Sequence, residues 1–400
     1  MPRTLSRLFS AAVSVAAFTS VAPAVSAAQL TDSAGIRIYD YRTSAVGGVA
    51  FVVDNSPVIS VSASDGSDSS ALGTQAIALL RNGGFAVGVA FTRNIGVGPN
   101  PKAFQTHEVR VFDARSHFVR RMGQYGPNLG QLPSAPQFIS EAPNGELLVS
   151  AGRPDVTRFK PTGELVRGAR FGNINRLAFG AGILADQSIV VGVEQGGVNI
   201  PVDVPGAVVA RAEFRYARYD TTGAKVEELP IVRHYYFFSN GPGRPPAPGV
   251  PWPYSASDPV VAGGRNIWRL DIIKWELQNF DNHGRLISIT RPTLPERLKN
   301  AVLGQISKDG VSGAHLIADD EGRLWMASGE PRSAALVAAG QKEYTVYDTT
   351  GAQLGTVAMP DRLSLRSVQR LTLLGMTHET QSPVRNIVGL RVRPFAAGGR

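Results

Sequence analysis

Six histidines, at positions 107, 117, 234, 283, 315 and 378, are the side chains of this 400-residue sequence best suited to metal ligation or to proton transfer near neutral pH. No two of them stand at a ligand spacing such as His-x-x-x-His, and neither a His-Glu-x-x-His motif nor a Gly-x-Ser-x-Gly elbow occurs. The chain has no cysteine, which excludes a catalytic thiol, Cys-ligated zinc, an iron–sulfur cluster, a disulfide framework and a lipidated N-terminal Cys. Gly123-Gln124-Tyr125-Gly126-Pro127-Asn128-Leu129-Gly130 has the glycine content of a phosphate loop. Such a loop must open a helix after a strand, and Pro127 opposes that, so the segment reads as a turn. Aspartates in recurrent Phe-Asp and Tyr-Asp pairs could serve as paired acids, but their fixed position in a repeat assigns them to turns.

The elements that must hold any chemistry emerge from that repeat. An aromatic residue, Asp or a polar residue, a short gap, Gly or a polar residue, and then aliphatic residues recur five times: Phe112 to Val119, Phe159 to Val166, Tyr219 to Val226, Phe280 to Ile287 and Tyr347 to Leu354. Ser116 replaces the glycine of the first copy and Lys160 the aspartate of the second. Each copy encodes two strands joined by a tight turn: Asp bonds the turn backbone, Gly takes the positive-φ position, and the flanking residues pack on the pleat. A second hairpin precedes each copy, at Ala78 to Val87, Asn144 to Val149, Leu184 to Val191, Gly263 to Trp268 and Asp320 to Trp325. Two hairpins make a four-stranded antiparallel unit, whose two apolar faces are buried only by stacking on neighbours. That is a β-propeller blade.

The two ends supply what remains. Val368 to Met376 and Asn386 to Val392 read as two or three strands, and Phe51 to Val53 with Pro57 to Val61 as a strand lacking its own hairpin partner. Together they predict a sixth blade closed by N- and C-terminal strands, which removes exposed sheet edges. The expected fold is therefore all-β, a six-bladed propeller over residues 29–400. Its units exceed the ~40–50 residues of compact propeller repeats, so loop insertions are expected at about 196–210, 233–257 and 293–308. The second gathers Pro242, Pro245, Pro246, Pro248, Pro251 and Pro253 among aromatics. The third has an approximate helical spacing of apolar residues.

Residues 1–28 have the layout of a secretory signal: Arg3 and Arg7, an apolar stretch from Leu8 to Ala22, and Val25-Ser26-Ala27 as the cleavage site. The apolar stretch is short of the ~20 residues that cross a bilayer, and Pro23 interrupts it. Export to the periplasm or the extracellular space is expected, with no membrane span after cleavage. The formal net charge is +9, of which Arg3 and Arg7 supply two. The other basic residues are dispersed, which opposes a nucleic-acid partner.

Val111-Phe112-Asp113 through Arg120 to Leu132 resembles the strand and inter-blade loop of NHL-type propellers. Ile317 to Trp325 with Tyr344 to Pro360 is similar to a late blade of exported bacterial six-bladed propeller proteins. The resemblance covers nearly the whole mature chain and implies no catalytic residues. NHL relatives include protein- and RNA-binding modules, and related six-bladed folds include lactone hydrolases and a metal-dependent lyase.

Ligands of propellers gather at the mouth of the central channel. Aligning the six units places Gln75, Gln137, Asn175, Asp258, His315 and Arg366 there, one per blade. One carboxylate, one His and one Arg among amides suit hydrogen bonding to a polar ligand better than capture of a divalent metal. Tyr235, Tyr236, Trp252 and Tyr254 in the proline-rich insertion are candidate partner-docking residues, since aromatics supply large contact areas. The expectation is a monomeric, non-catalytic binding module for a protein or a polar small molecule, with no catalytic residues, metal or cofactor. The alternative is a lactonase-like hydrolase or lyase using a divalent cation at the channel.

Overall fold

The computed structural model describes residues 29–42, 48–62, 71–95, 102–126, 128, 131–142, 144–151, 155–170, 178–201, 208–239, 255–295, 314–328, 334–378 and 385–395. The expected signal at 1–28 lies outside them. In chain order come β1 (Gln29–Ser33), β2 (Ile36–Asp40) and β3 (Phe51–Ser62). A first sheet is β4 (Ala71–Leu79), β5 (Phe85–Ile95), β6 (Lys102–Phe112) and β7 (Phe118–Met122). A second is β8 (Phe138–Glu141), β9 (Leu147–Ser150), β10 (Asp155–Phe159) and β11 (Leu165–Arg170). Next follow β12 (Ala178–Ile183), β13 (Ile189–Pro201), β14 (Val208–Tyr219), β15 (Lys225–Ser239) and β16 (Ser255–Ser257). After these come β17 (Val260–Gly263), β18 (Asn266–Asp271), β19 (Glu276–Asp281) and β20 (Leu286–Arg291). β21 (His315–Ala318), β22 (Leu324–Ala327), β23 (Gln341–Tyr347) and β24 (Gln353–Pro360) form another four-stranded sheet, with helix α1 (Ala334–Ala338) before β23. Last are β25 (Leu363–Gln369), β26 (Thr372–His378) and β27 (Arg385–Pro394), and β3 pairs antiparallel with β27 to make their fourth strand.

The fold is an all-β propeller of antiparallel four-stranded blades. Strands β12 to β16 and β17 to β20 form two meanders that, with β1 and β2 beside β20, make one eleven-stranded sheet; a single parallel pair, Gly182 with Ala262, joins the meanders. Gly182 has φ +149°, and a Cβ there would lie 2.1 Å from the Ala262 carbonyl oxygen, so only glycine permits this approach.

The repeat chemistry appears as read. Asp113, Asp220, Asp281 and Asp348 each accept hydrogen bonds from two backbone N–H groups of their own turn. Gly163, Gly223, Gly284 and Gly351 have positive φ, and Ser116 at φ +66° occupies the same conformation without being glycine. In the companion hairpins Gly83, Gly145, Gly264 and Gly322 do the same, with Gln187 at φ +67° as the exception.

Packing lies between consecutive blades. Trp268, Leu277, Leu316, Met326 and Tyr347 join β17–β20 to β21–β24, and Trp325, Val357, Leu365 and Leu373 join the latter to β25–β27. Phe85, Val87 and Phe112 meet Ile59, Leu374 and Ile387, while Val109 and Met122 meet Leu147 and Val149. Leu148 and Val156 meet Val191 and Ala217, and Phe214 and Tyr216 meet Ile267 and Phe280. Each such side chain contributes about 1.5–3 kcal/mol by leaving water, so the blades stabilise one another rather than standing alone.

Two segments differ from expectation. Where loops are predicted at 196–210 and 233–257, Gly196 to Pro201, Val208 to Ala210, Arg233 to Ser239 and Ser255 to Ser257 are strand. The high β-propensity of Val, Tyr and Phe outweighs Gly196 and Gly197, which leave only a register shift after Glu194. Residues 240–254 and 296–313, including the candidate helical spacing, lie outside the described residues. The β1–β2 hairpin is not foreseen. β2 runs parallel to β20, the Tyr41 hydroxyl accepts a 2.8 Å hydrogen bond from Gln353 N, and Val49 bridges Thr356 before β3 begins. The N-terminal segment thus straps one blade to the next. No helix among the described residues is long and apolar enough to cross a membrane.

Candidate functional site

The first strands of the blades carry small residues where they converge, Ala76 and Ala78 on β4, Gly180 and Gly182 on β12, Ala262 and Gly263 on β17. They leave a central cavity of about 430 Å³ whose wall is made by β4, β8, β12, β17, β21 and β25. That volume lies within the range of small-molecule sites.

Hydrogen bonds run from hairpin to hairpin around one end of this cavity. Gln369 Oε1 accepts from Leu79 N at 2.8 Å, and Arg370 Nη1 donates to Leu80 O at 3.1 Å. Arg81 N donates to Glu141, Ala185 N to Gly264 O, and Arg370 N to both oxygens of Asp320. Asp319, almost fully buried, accepts from Trp325 Nε1, Arg323 Nε and two backbone N–H groups. The carboxylates at this end are therefore committed to the fold. Sequence reading missed this lacing because the β25–β26 turn, Arg370 and Leu371 at φ +48° and +55°, contains no Gly, Asn or Asp to signal a hairpin.

At the end where the inner strands begin, the polar groups are of a different kind. His315, the first residue of β21, bonds through Nδ1 to the Tyr344 hydroxyl at 2.8 Å. Burial lowers its pKa to about 4, reinforced by the charges of Arg366 and Lys342, so the ring is neutral at pH 7. Burial also pushes the Tyr344 hydroxyl up to about 12. Arg366 lines the cavity at a register shift in β25, and Gln137 lines it just before β8, its N–H held by Ser150 O at 2.7 Å. This sector presents positive charge and hydrogen-bonding groups.

Of the residues proposed for the channel mouth, the structure brings Gln137 and Arg366 to the cavity wall and His315 beside Arg366. Asp258 is 1% exposed and accepts from Arg269 Nη2 at 2.6 Å, with Ile272 N and His234 N at 3.3 and 3.4 Å. Burial would raise its pKa, but hydrogen bonding from His234 and the Arg269 charge prevail and hold it below the ordinary range. Its carboxylate ties the β15–β16 arm to β18, and the cavity wall on β17 begins two residues later, at Val260. Gln75 lies on β4, with its side chain outside the described residues, as is Asn175 altogether. Tyr235 and Tyr236 are on β15, paired with Ala212 and Arg211, and the Arg233 guanidinium lies 6.0 Å from the Tyr235 ring. Trp252 and Tyr254 lie outside the described residues. Among the described residues no three His, Asp or Glu side chains are grouped to hold a metal ion.

No protein-family model and no curated protein sequence matches the chain. Solved structures do. Virginiamycin B lyase from Staphylococcus aureus has 11% identity over 82% of this chain and 98% of its own, with a TM-score of 0.38. A candidate exported protein from Bacteroides fragilis has 10% identity over 90% and 99%, with a TM-score of 0.44. A member of the DUF4221 family from Bacteroides vulgatus has 11% identity over 86% and 99%, with a TM-score of 0.37.

Proposed function

We propose that the chain is an exported, six-bladed β-propeller of NHL-like type acting as a non-catalytic binding module. The six blades are the four separate four-stranded sheets and the two meanders of the eleven-stranded sheet, and a polar small molecule enters the central cavity where the inner strands begin. The observation that carries this reading is the asymmetry of that cavity: its carboxylates are tied up in the hairpin lacing at one end, while Arg366 and Gln137 line it toward the other, with neutral His315 buried beside Arg366. A ligand bearing an anionic group complements the Arg366 charge. The aromatic arm, with Tyr235, Tyr236, Trp252 and Tyr254, is the proposed second contact surface, toward a protein.

The test is a thermal-shift and calorimetric series with small mono- and dicarboxylates and inorganic phosphate on the purified chain and on Arg366→Ala. Stabilisation that Arg366→Ala abolishes supports the reading. Stoichiometric calcium or zinc in the purified protein, with a fall in Tm on chelation, would overturn it in favour of a metal-dependent propeller hydrolase or lyase.

A further inference from the structure

We infer a second ligand site, for a neutral polyhydroxyl compound such as a sugar, in a groove between the β8–β11 and β12–β15 blades. The groove has a volume of about 430 Å³ and is walled by the Ala142 to Glu146 turn, Arg158, the Asp186 to Ser188 turn, Arg218, the Asp220-Thr221 turn and Val226. It is distinct from the central cavity, with which it shares no lining residue. A single water occupies roughly 30 Å³ of liquid, so the groove has room for a ligand of many atoms.

Its polar groups divide into those already satisfied and two that are not. Glu146 takes both Nε and Nη2 of Arg158, and Asp220 accepts from Thr222 and Ala224 in its own turn. Asp186 accepts from Ser188 N and Oγ, with Arg218 Nη1 at 3.5 Å. Arg218 is only 9% exposed along its side chain and spends Nη1 on Asn282 O at 2.8 Å, yet its buried Nε has no acceptor. Gln187, in the adjoining turn, has a buried Oε1 with no donor. Each such orphan costs about 1–3 kcal/mol until paired. One lacks an acceptor and the other a donor, and a hydroxyl is both. Arg158 pairs with Glu146 and Arg218 with Asp186, and Asp220 is spent on its own turn, so the groove offers little to a strongly charged ligand. A compound with several neutral hydroxyls fits this complement.

Gln187 adopts φ +67° where the equivalent hairpins have glycine, a backbone strain that glycine would relieve. Its replacement separates binding from stability. Saturation-transfer NMR and calorimetry with glucose, maltose and myo-inositol should detect binding to the mature chain. Gln187→Gly should weaken it about tenfold while raising Tm, because glycine relieves the turn. Gln187→Glu, which keeps an acceptor oxygen, should retain binding within about threefold. The inference is overturned if none of the three compounds binds at tens of millimolar. It is equally overturned if Gln187→Gly binds as well as the parent, or if glucose 6-phosphate or glucosamine binds more tightly than glucose.

Discussion

Neutralising Asp258 should reveal how the β15–β16 arm is fastened. The Asp258 carboxylate is 1% exposed and 2.6 Å from Arg269 Nη2, whose side chain is 13% exposed. Removing one partner of a buried pair costs about 3–5 kcal/mol, because the other charge is left uncompensated. Arg269 retains Gln278 Oε1 at 3.0 Å and Asp271 at 3.9 Å, which places Asp258→Asn near the low end, about 3 kcal/mol. With a urea m-value of at least roughly 3 kcal/mol/M for a chain this long, the midpoint should fall by up to about 1 M. Arg269→Met should cost a similar amount. The double variant should cost far less than the sum, because a neutral pair needs no counter-charge, and a coupling of about 2 kcal/mol is expected. The pH dependence follows from the lowered Asp258 pKa. The folded state binds its proton less readily than the unfolded chain, so the stabilisation is complete above the ordinary value of 3.8 and disappears as pH falls through the lower folded value. The gap between parent and Asp258→Asn should thus be constant from pH 7 to 5 and close below 3.8. Additive single effects, with coupling under about 0.5 kcal/mol, would refute the fastening role.

Burial holds His315 at about 4, so the unfolded chain takes up its proton first and stability should decline as pH drops from 6.5 toward 4, by up to about 3 kcal/mol. Arg366→Ala should raise the His315 pKa, read by NMR titration; an unchanged value would separate the two residues. Tyr41→Phe removes the acceptor of Gln353 N and should cost about 1–2 kcal/mol in urea unfolding, whereas no change would mean that the N-terminal strap carries no load there. Ser116→Gly should raise Tm slightly by relieving φ +66°. Gly351→Ala should cost at least about 2 kcal/mol, from the left-handed backbone and from a Cβ 2.5 Å from the buried Ser288 Oγ. Equal Tm values for parent, Ser116→Gly and Gly351→Ala would contradict the turn assignment.

Blade architecture was legible in the residues because its determinants are local. Asp281 and Gly284 specify their turn through hydrogen bonds and a φ value set within five residues, and the alternation around them states which faces are buried. The pairing of β3 with β27 was also readable, since each end of the chain carried strand pattern without a partner. The turn at Arg370-Leu371, built without Gly, Asn or Asp, left no such trace.

The site depends on contacts between residues far apart in sequence, and these no local pattern encodes. Asp258 had the same type and approximate position as a channel ligand, yet Arg269 and the backbone of Ile272 and His234 claim its carboxylate. His315 looks like a proton-transfer group in sequence, but burial and two neighbouring cations keep it neutral. The sequence by itself determined the repeating strands and turns, because short-range hydrogen bonding and side-chain alternation suffice for them. Only the tertiary structure decided which polar groups are spent on the fold and which face a cavity, because burial and pairing arise when distant strands converge.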